Sequence, residues 1–222
     1  LLTMSACLGS VMMPRASHLI AENKEDEFSR LIQKSYDFTL AIALPMTIGL
    51  IFCAPSLITA LCGVKFEHSI LPSQIIAPII LMVAISNVFG IQVLFPKGKI
   101  NIVTLCCGIG AVADLILNLC LIPFFSYIGT SIAYLGAEVA TTVSMYFIGR
   151  KYIPIIYFKK SHLTYALGCI VMAFALYGLS FLQLPTLTIL LLQGCCGVLA
   201  YFIILCICKD EMLVQILSKI KR

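Results

Sequence analysis

Four stretches of this chain carry almost no charge, and each is long enough to cross a bilayer. Phe38 to Val64, Ser69 to Pro96 and Ser161 to Cys208 contain no Asp, Glu, Lys or Arg, and Ile100 to Gly149 contains only Asp114 and Glu138. A helix crossing the hydrocarbon needs about 20 apolar residues. The first two stretches in chain order therefore hold one crossing each, and the last two hold two each. Turn-forming residues divide the long ones at Pro123 to Gly129 and at Gln183 to Pro185. We expect crossings at 38–61, 71–95, 101–124, 128–148, 163–183 and 187–208, in an all-α, polytopic transmembrane helix bundle. Residues 1–13 read as the end of a preceding transmembrane helix, so we expect a C-terminal piece of a longer protein. Composition agrees: 61% of the 222 residues are hydrophobic, 11% are charged and the mean hydropathy is +1.06. A soluble domain has about half and about a quarter.

The basic residues orient the bundle. Of the 15 Lys and Arg residues, all but Lys65 fall in alternate connections: residues 14–37, 96–100 and 149–162, and the tail from Lys209. Positive residues mark the cytoplasmic side, so these segments and the C-terminus are expected in the cytoplasm of a cell whose inner membrane holds the chain. The net charge of +5 then reflects topology and anionic lipid, and nucleic acid is not an expected partner. Segment 14–37 reads as a cytoplasmic loop with a short helix near 22–35. Asn23 is its expected N-cap, and Phe28, Leu31, Ile32 and Ser35 share one face. The tail 209–222 reads as a cytoplasmic amphipathic anchor.

Nothing in the pattern points to an enzyme, a metal or a cofactor. The 11 Cys lie almost entirely inside the expected spans with no zinc spacing, and read as small apolar packing residues. His18 and His162 are expected on one side and His68 on the other, so they cannot share a metal. No nucleotide-binding or hydrolase motif occurs.

The residues that cost something to keep are the polar ones at membrane depth. A mid-bilayer carboxylate costs about 2.5–3.5 kcal/mol on insertion scales and usually faces a bundle interior or a watery cavity. Asp114 and Asn118 stand one turn apart on a face with Gly110. Glu138 lies beside the stripe Gly129, Ala133, Ala137, Thr141, whose spacing allows close helix approach. Asn87 and Gln92 share the polar side of the second crossing, five apart and so not stacked, and read first as interhelical hydrogen-bonding residues. Together Asp114, Asn118, Glu138, Asn87 and Gln92 are the candidate substrate or ion pathway. Arg15, Lys97 and Lys99, at the cytoplasmic ends of helices, are candidates for receiving an anionic headgroup.

The run VMMPRASHL at 11–19 and the stretch SYDFTLAIALPMTIGLIFCAPSLI at 35–58 resemble polysaccharide flippases, the O-antigen and capsule repeat-unit translocases of the multidrug/oligosaccharidyl-lipid/polysaccharide exporter superfamily. QIIAPIILMVAISNVFGIQVLFPKGK at 74–99 and GAVADLILNLCLIPFFSYIGTSIAYLGAEV at 110–139 extend the likeness. The resemblance covers about 11–150. It departs at Asp114, where the pattern calls for Asn. It implies two lobes working by alternating access, of which this chain supplies most of one. The implied substrate is an undecaprenyl-pyrophosphate-linked oligosaccharide, and the implied partners are membrane lipids, a polysaccharide polymerase and a chain-length regulator. Two alternatives stay open: a multidrug cation antiporter of the same superfamily, and a non-transporting subunit of a polysaccharide assembly complex.

The topology has a direct check. Reporter fusions after Lys65, Ser126 and Leu184 should read as external, and fusions after Lys97 and Lys160 as cytoplasmic. An inverted pair would overturn the orientation.

Overall fold

The computed structural model describes residues 2–157, 159–182 and 185–208. The expected amphipathic tail lies outside them, as do Gln183 and Leu184 of the expected break at Gln183 to Pro185. Among the described residues the secondary structure is entirely helical, with no strand. Five helical stretches are long and apolar enough to cross a membrane: Glu25–Cys62, Val64–Leu94, Ile100–Tyr152, Ser161–Leu179 and Thr186–Ile207. The described residues divide into two compact units, the first within 1–40 and 78–157, the second within 41–77 and 158–222.

In the first unit, α1 (Leu2–Ala21) continues through Pro14 beyond the expected end at residue 13. It stops in a three-residue turn. Asn23 adopts a left-handed backbone with φ of 56°. The Lys24 N–H donates to the Leu19 carbonyl at 2.9 Å and the Asn23 N–H to the Ile20 carbonyl at 3.0 Å. This paired pattern closes a helix C-terminus, where Asn is tolerated for its left-handed conformation. Asn23 therefore ends α1 and does not cap the next helix, as the sequence reading expected. Lys24 also pairs with Glu22 at 2.9 Å.

The next helix, α2 (Glu25–Cys62), is continuous for 38 residues. The expected separate short helix and first crossing are thus one element. No Gly or Pro separates the charged start from the apolar run, and Glu25, Asp26 and Glu27 in the first turn suit the helix dipole. Phe28, Leu31, Ile32 and Ser35 are buried as the shared face required. The second expected crossing is interrupted. A 3-10 turn (Val64–Ser69) leads to α3 (Ile70–Ile76), Pro78 opens α4 (Ile79–Asn87), and Val88–Leu94 is a π-helix. The stretch ends at Gly98, whose φ is 67°. Here the Lys99 N–H reaches the Leu94 carbonyl at 2.8 Å and the Gly98 N–H the Phe95 carbonyl at 2.9 Å.

The longest helix, α5 (Ile100–Gly149), is not one rod. Ser126 leaves helical geometry with φ of 50° and ψ of −126°, and the chain folds back. Three glycines record the resulting antiparallel register: a Cβ on Gly110 would collide with Thr141, one on Gly136 would lie 2.6 Å from the Leu117 side chain, and one on Gly129 would lie 2.6 Å from the Leu121 carbonyl oxygen. Small residues allow this approach where no hydrophobic effect draws helices together in lipid. The hairpin packs on α4, where the Thr142 hydroxyl donates to the Met82 carbonyl at 3.2 Å.

After α5 and the 3-10 turn Arg150–Tyr152, residues 153–157 form a non-helical strap. Ile153 and Ile155 are buried. Between them and Tyr157, the Gln33 amide of α2 clamps the Ile156 peptide. The Ile156 N–H donates to Gln33 Oε1 at 2.7 Å, and Gln33 Nε2 donates to the Ile156 carbonyl at 3.3 Å and to Asp37 Oδ1 at 2.7 Å. The Tyr157 ring meets Tyr146, Tyr36 and Phe89 edge-on, with centroids 5.2, 6.0 and 6.5 Å away. Burial pushes the Tyr157 phenol up to about 12.

In the second unit α6 (Lys160–Leu179) and α7 (Thr186–Ile207) pack against each other. Gly168 faces the Tyr201 ring, and Gly197 faces Leu176 and Met172. The Tyr201 hydroxyl donates to the Ala41 carbonyl at 2.8 Å, and Gln74 Nε2 to the Ile51 carbonyl at 2.9 Å.

The hairpin register predicts a contrast. Gly129→Ala should lower stability by about 1–3 kcal/mol through overpacking against rigid backbone, whereas Gly108→Ala, with open space around it, should change it little. Thermal unfolding in detergent compares the two, and equal effects would refute the register.

Candidate functional site

The first unit holds an open cavity of about 500 Å³ between α4, the start of the π-helix and both arms of α5. The polar side chains on its wall are Ser86, Asn87, Asp114, Tyr134, Glu138 and Thr141. The hairpin explains how they meet. Because α5 reverses at Ser126, Gly110 and Thr141 come face to face, and Asp114 and Glu138, one step away on each arm, open into the same space. Glycine at 110 and 90 leaves room for the cavity, and Val83, Ile91, Val103 and Met145 are among its apolar lining.

Several of the polar groups are already engaged. Asn118 Nδ2 donates to Asp114 Oδ1 at 3.0 Å and to the Asp114 carbonyl at 2.9 Å. Asn118 thus orients the Asp114 carboxyl from behind, without itself lining the cavity. Ser86 donates to the Val83 carbonyl at 3.0 Å and Thr141 to the Ala137 carbonyl at 3.0 Å. No Lys, Arg or His lies among the lining residues, so neither carboxyl has a cation beside it in this wall. Among the described residues no three His, Cys, Asp or Glu side chains gather as a metal site.

Asn87 and Gln92 part company. Asn87 faces the cavity. Gln92 is buried, 1% exposed, and its Oε1 accepts from the Ser35 hydroxyl at 2.5 Å. A π-helix advances by wider turns than an α-helix, so an α-helical count across 88–94 misplaces everything beyond it. Gln92 thereby ties the π-helix to α2 through an interhelical hydrogen bond. Tyr134 was passed over in the sequence, although its spacing with Glu138 and Thr141 is that of one helix face.

The basic candidates do not line the cavity. Arg15 is exposed on α1. Lys97 Nζ sits 5.1 Å from the Phe28 ring centre and Lys99 Nζ 5.2 Å from that of Tyr152, a ring shared with Lys151 at 5.4 Å.

With this geometry in hand, comparison with known proteins is decisive. The family described as lipid II flippase MurJ matches residues 3–193. The chain belongs to the MurJ lipid II flippase family. Flippases of this family are transporters and not enzymes. A solved structure of a lipid II flippase MurJ in an inward closed conformation superposes with a TM-score of 0.78 at 16% identity, over 94% of this chain and 45% of that one. It shares the helical-bundle fold. An uncharacterised membrane protein of Methanocaldococcus jannaschii is 29% identical over 141 residues, 64% of this chain and 26% of the relative. The chain thus spans about a quarter of that curated relative and under half of the solved flippase.

The cavity's wetness can be read chemically. Cys107 lines it, whereas Cys106 is fully buried. In variants retaining one cysteine each, a charged water-soluble thiol reagent should label Cys107 at least about tenfold faster than Cys106, since labelling follows access to the thiolate. Equal rates would mean that the cavity holds no water.

Proposed function

We propose that this chain forms part of a flippase carrying a polyprenyl-pyrophosphate-linked saccharide across the cytoplasmic membrane by alternating access. Family membership carries the proposal. A headgroup of that kind cannot cross hydrocarbon unaided, and a polar cavity inside a helix bundle offers it or its counter-ion a route. In this reading the wall formed by Asn87, Asp114 and Glu138 belongs to that route, with Asn118 holding Asp114. The carboxylates make it a poor seat for the pyrophosphate itself, and it serves a sugar hydroxyl, a cation or a proton. Segments 14–37 and 149–162 and the C-terminus face the cytoplasm.

Within this class the family match favours a lipid II-like substrate, and the resemblance over 11–150 favours an O-antigen or capsular repeat unit delivered to a polymerase and a chain-length regulator. Both share the polyprenyl pyrophosphate. Depleting the complete protein should trap its substrate on the cytoplasmic leaflet. Accumulation of lipid-linked muropeptide assigns the first, and loss of surface polysaccharide with intact wall synthesis assigns the second. Accumulation of neither, with heightened drug sensitivity, would replace the proposal with the antiporter.

Asp114 offers a sharper test in the complete protein. Asp114→Ala removes the side-chain acceptor for Asn118 and should lower translocation about tenfold, the worth of one hydrogen bond to a charged group. Asp114→Asn keeps an acceptor oxygen and should retain most activity. Loss in both variants would show a charge-dependent step, and loss in neither would remove Asp114 from the mechanism.

A further inference from the structure

Three lysines of the first unit gather on aromatic rings and not on carboxylates. Lys99 and Lys151 both lie against Tyr152, so their ammonium groups are no farther apart than the sum of the two ring distances, 5.2 and 5.4 Å. Lys97, two residues before Lys99, covers the wholly buried Phe28. Ion pairs join His18 and Lys24 to Glu22. Neither involves these three lysines.

The group is held in place from two sides. The left-handed Gly98 and the paired bonds of Lys99 and Gly98 to Leu94 and Phe95 fix the turn that carries Lys97 and Lys99. Lys151 and Tyr152 precede the strap, which is anchored by buried Ile153 and Ile155 and by the Gln33 clamp on Ile156. Both segments end apolar stretches, Val64–Leu94 and Ile100–Tyr152. The lysines therefore stand at a membrane edge, where lipid phosphates are the most concentrated anions. A ring beneath an ammonium spreads its charge without neutralising it, so the cluster keeps its need for a counter-anion. Juxtamembrane basic groups recognise anionic headgroups on this basis.

We propose that Lys97, Lys99, Lys151 and Tyr152 form a binding site for the phosphate of an anionic phospholipid, distinct from the cavity of Asp114 and Glu138. The lysines supply the charge, the Tyr152 ring spaces two of them, and the strap keeps the ring still. The site needs no assumption about what the protein translocates.

The test uses the complete protein in bilayer discs of phosphatidylcholine containing a minor share of phosphatidylglycerol, with retained lipids counted by native mass spectrometry. Lys99→Ala/Lys151→Ala should lower retained phosphatidylglycerol about tenfold, while Lys99→Arg/Lys151→Arg should keep it. Gln33→Leu removes no charge but frees the strap, and should lower retention several-fold. Lys65→Ala, which removes one positive charge elsewhere, should leave it unchanged. Unchanged retention in the double alanine variant would overturn the site. An equal loss in Lys65→Ala would reduce it to bulk charge, and displacement by millimolar inorganic phosphate would make it a free-anion site and not a lipid site. Circular dichroism of each variant confirms that the helices persist, and translocation assays on the same samples report separately on the flippase reading.

Discussion

A bilayer core offers no water to an unpaired peptide group, and every feature of this chain follows from that restriction. Helices satisfy their own backbone, so apolar stretches of spanning length must become helices. Departures from helical geometry are tolerated only where protein or the aqueous edge supplies partners. The exceptions here obey the rule. Asn23 and Gly98 turn where paired hydrogen bonds close the helix ends. The strap at 153–157 leaves helical geometry where the Gln33 side chain meets both hydrogen-bonding groups of Ile156.

The same restriction explains how polar chemistry enters the interior. A carboxyl at depth must be surrounded by protein or reached by water. The α5 hairpin provides the enclosure by bringing two arms of small residues close together and leaving a gap one step away. Packing at Gly110 and Thr141 and the opening at Asp114 and Glu138 are thus products of one register. Asn118 behind Asp114 completes an arrangement in which the carboxyl is aimed and not merely tolerated.

What could be read from the sequence was whatever has a period or a run. The apolar stretches, the buried face of Phe28, Leu31, Ile32 and Ser35, the small-residue stripe and the Asp114–Asn118 pair all follow from helical spacing, and the likeness to lipid-linked saccharide flippases was visible in residues 11–150. The reversal of α5 was legible as the turn-forming stretch Pro123 to Gly129, which contains Ser126, but nothing local announced that Asp114 and Glu138 share a cavity, because that depends on the register in which the two arms pack. Asn23 misled because Asn serves both helix starts and left-handed helix ends. The Gln33 clamp joins residues 123 positions apart, and although Lys97 and Lys99 were marked in the sequence as headgroup candidates, nothing local showed that Lys99 and Lys151 share the Tyr152 ring.

The π-helix at Val88–Leu94 has a consequence for how relatives of this chain should be compared. Such a segment is in effect an α-helix that has accepted one additional residue. Losing that residue would turn the following part of the helix by about 100°, swinging the position of Gln92 away from Ser35. Two family members differing by this single insertion would then present different polar side chains to the same neighbours while their ungapped sequences still looked alike. Equivalence beyond Asn87 is therefore a question of helical phase, to be settled from backbone geometry before residue identities are matched.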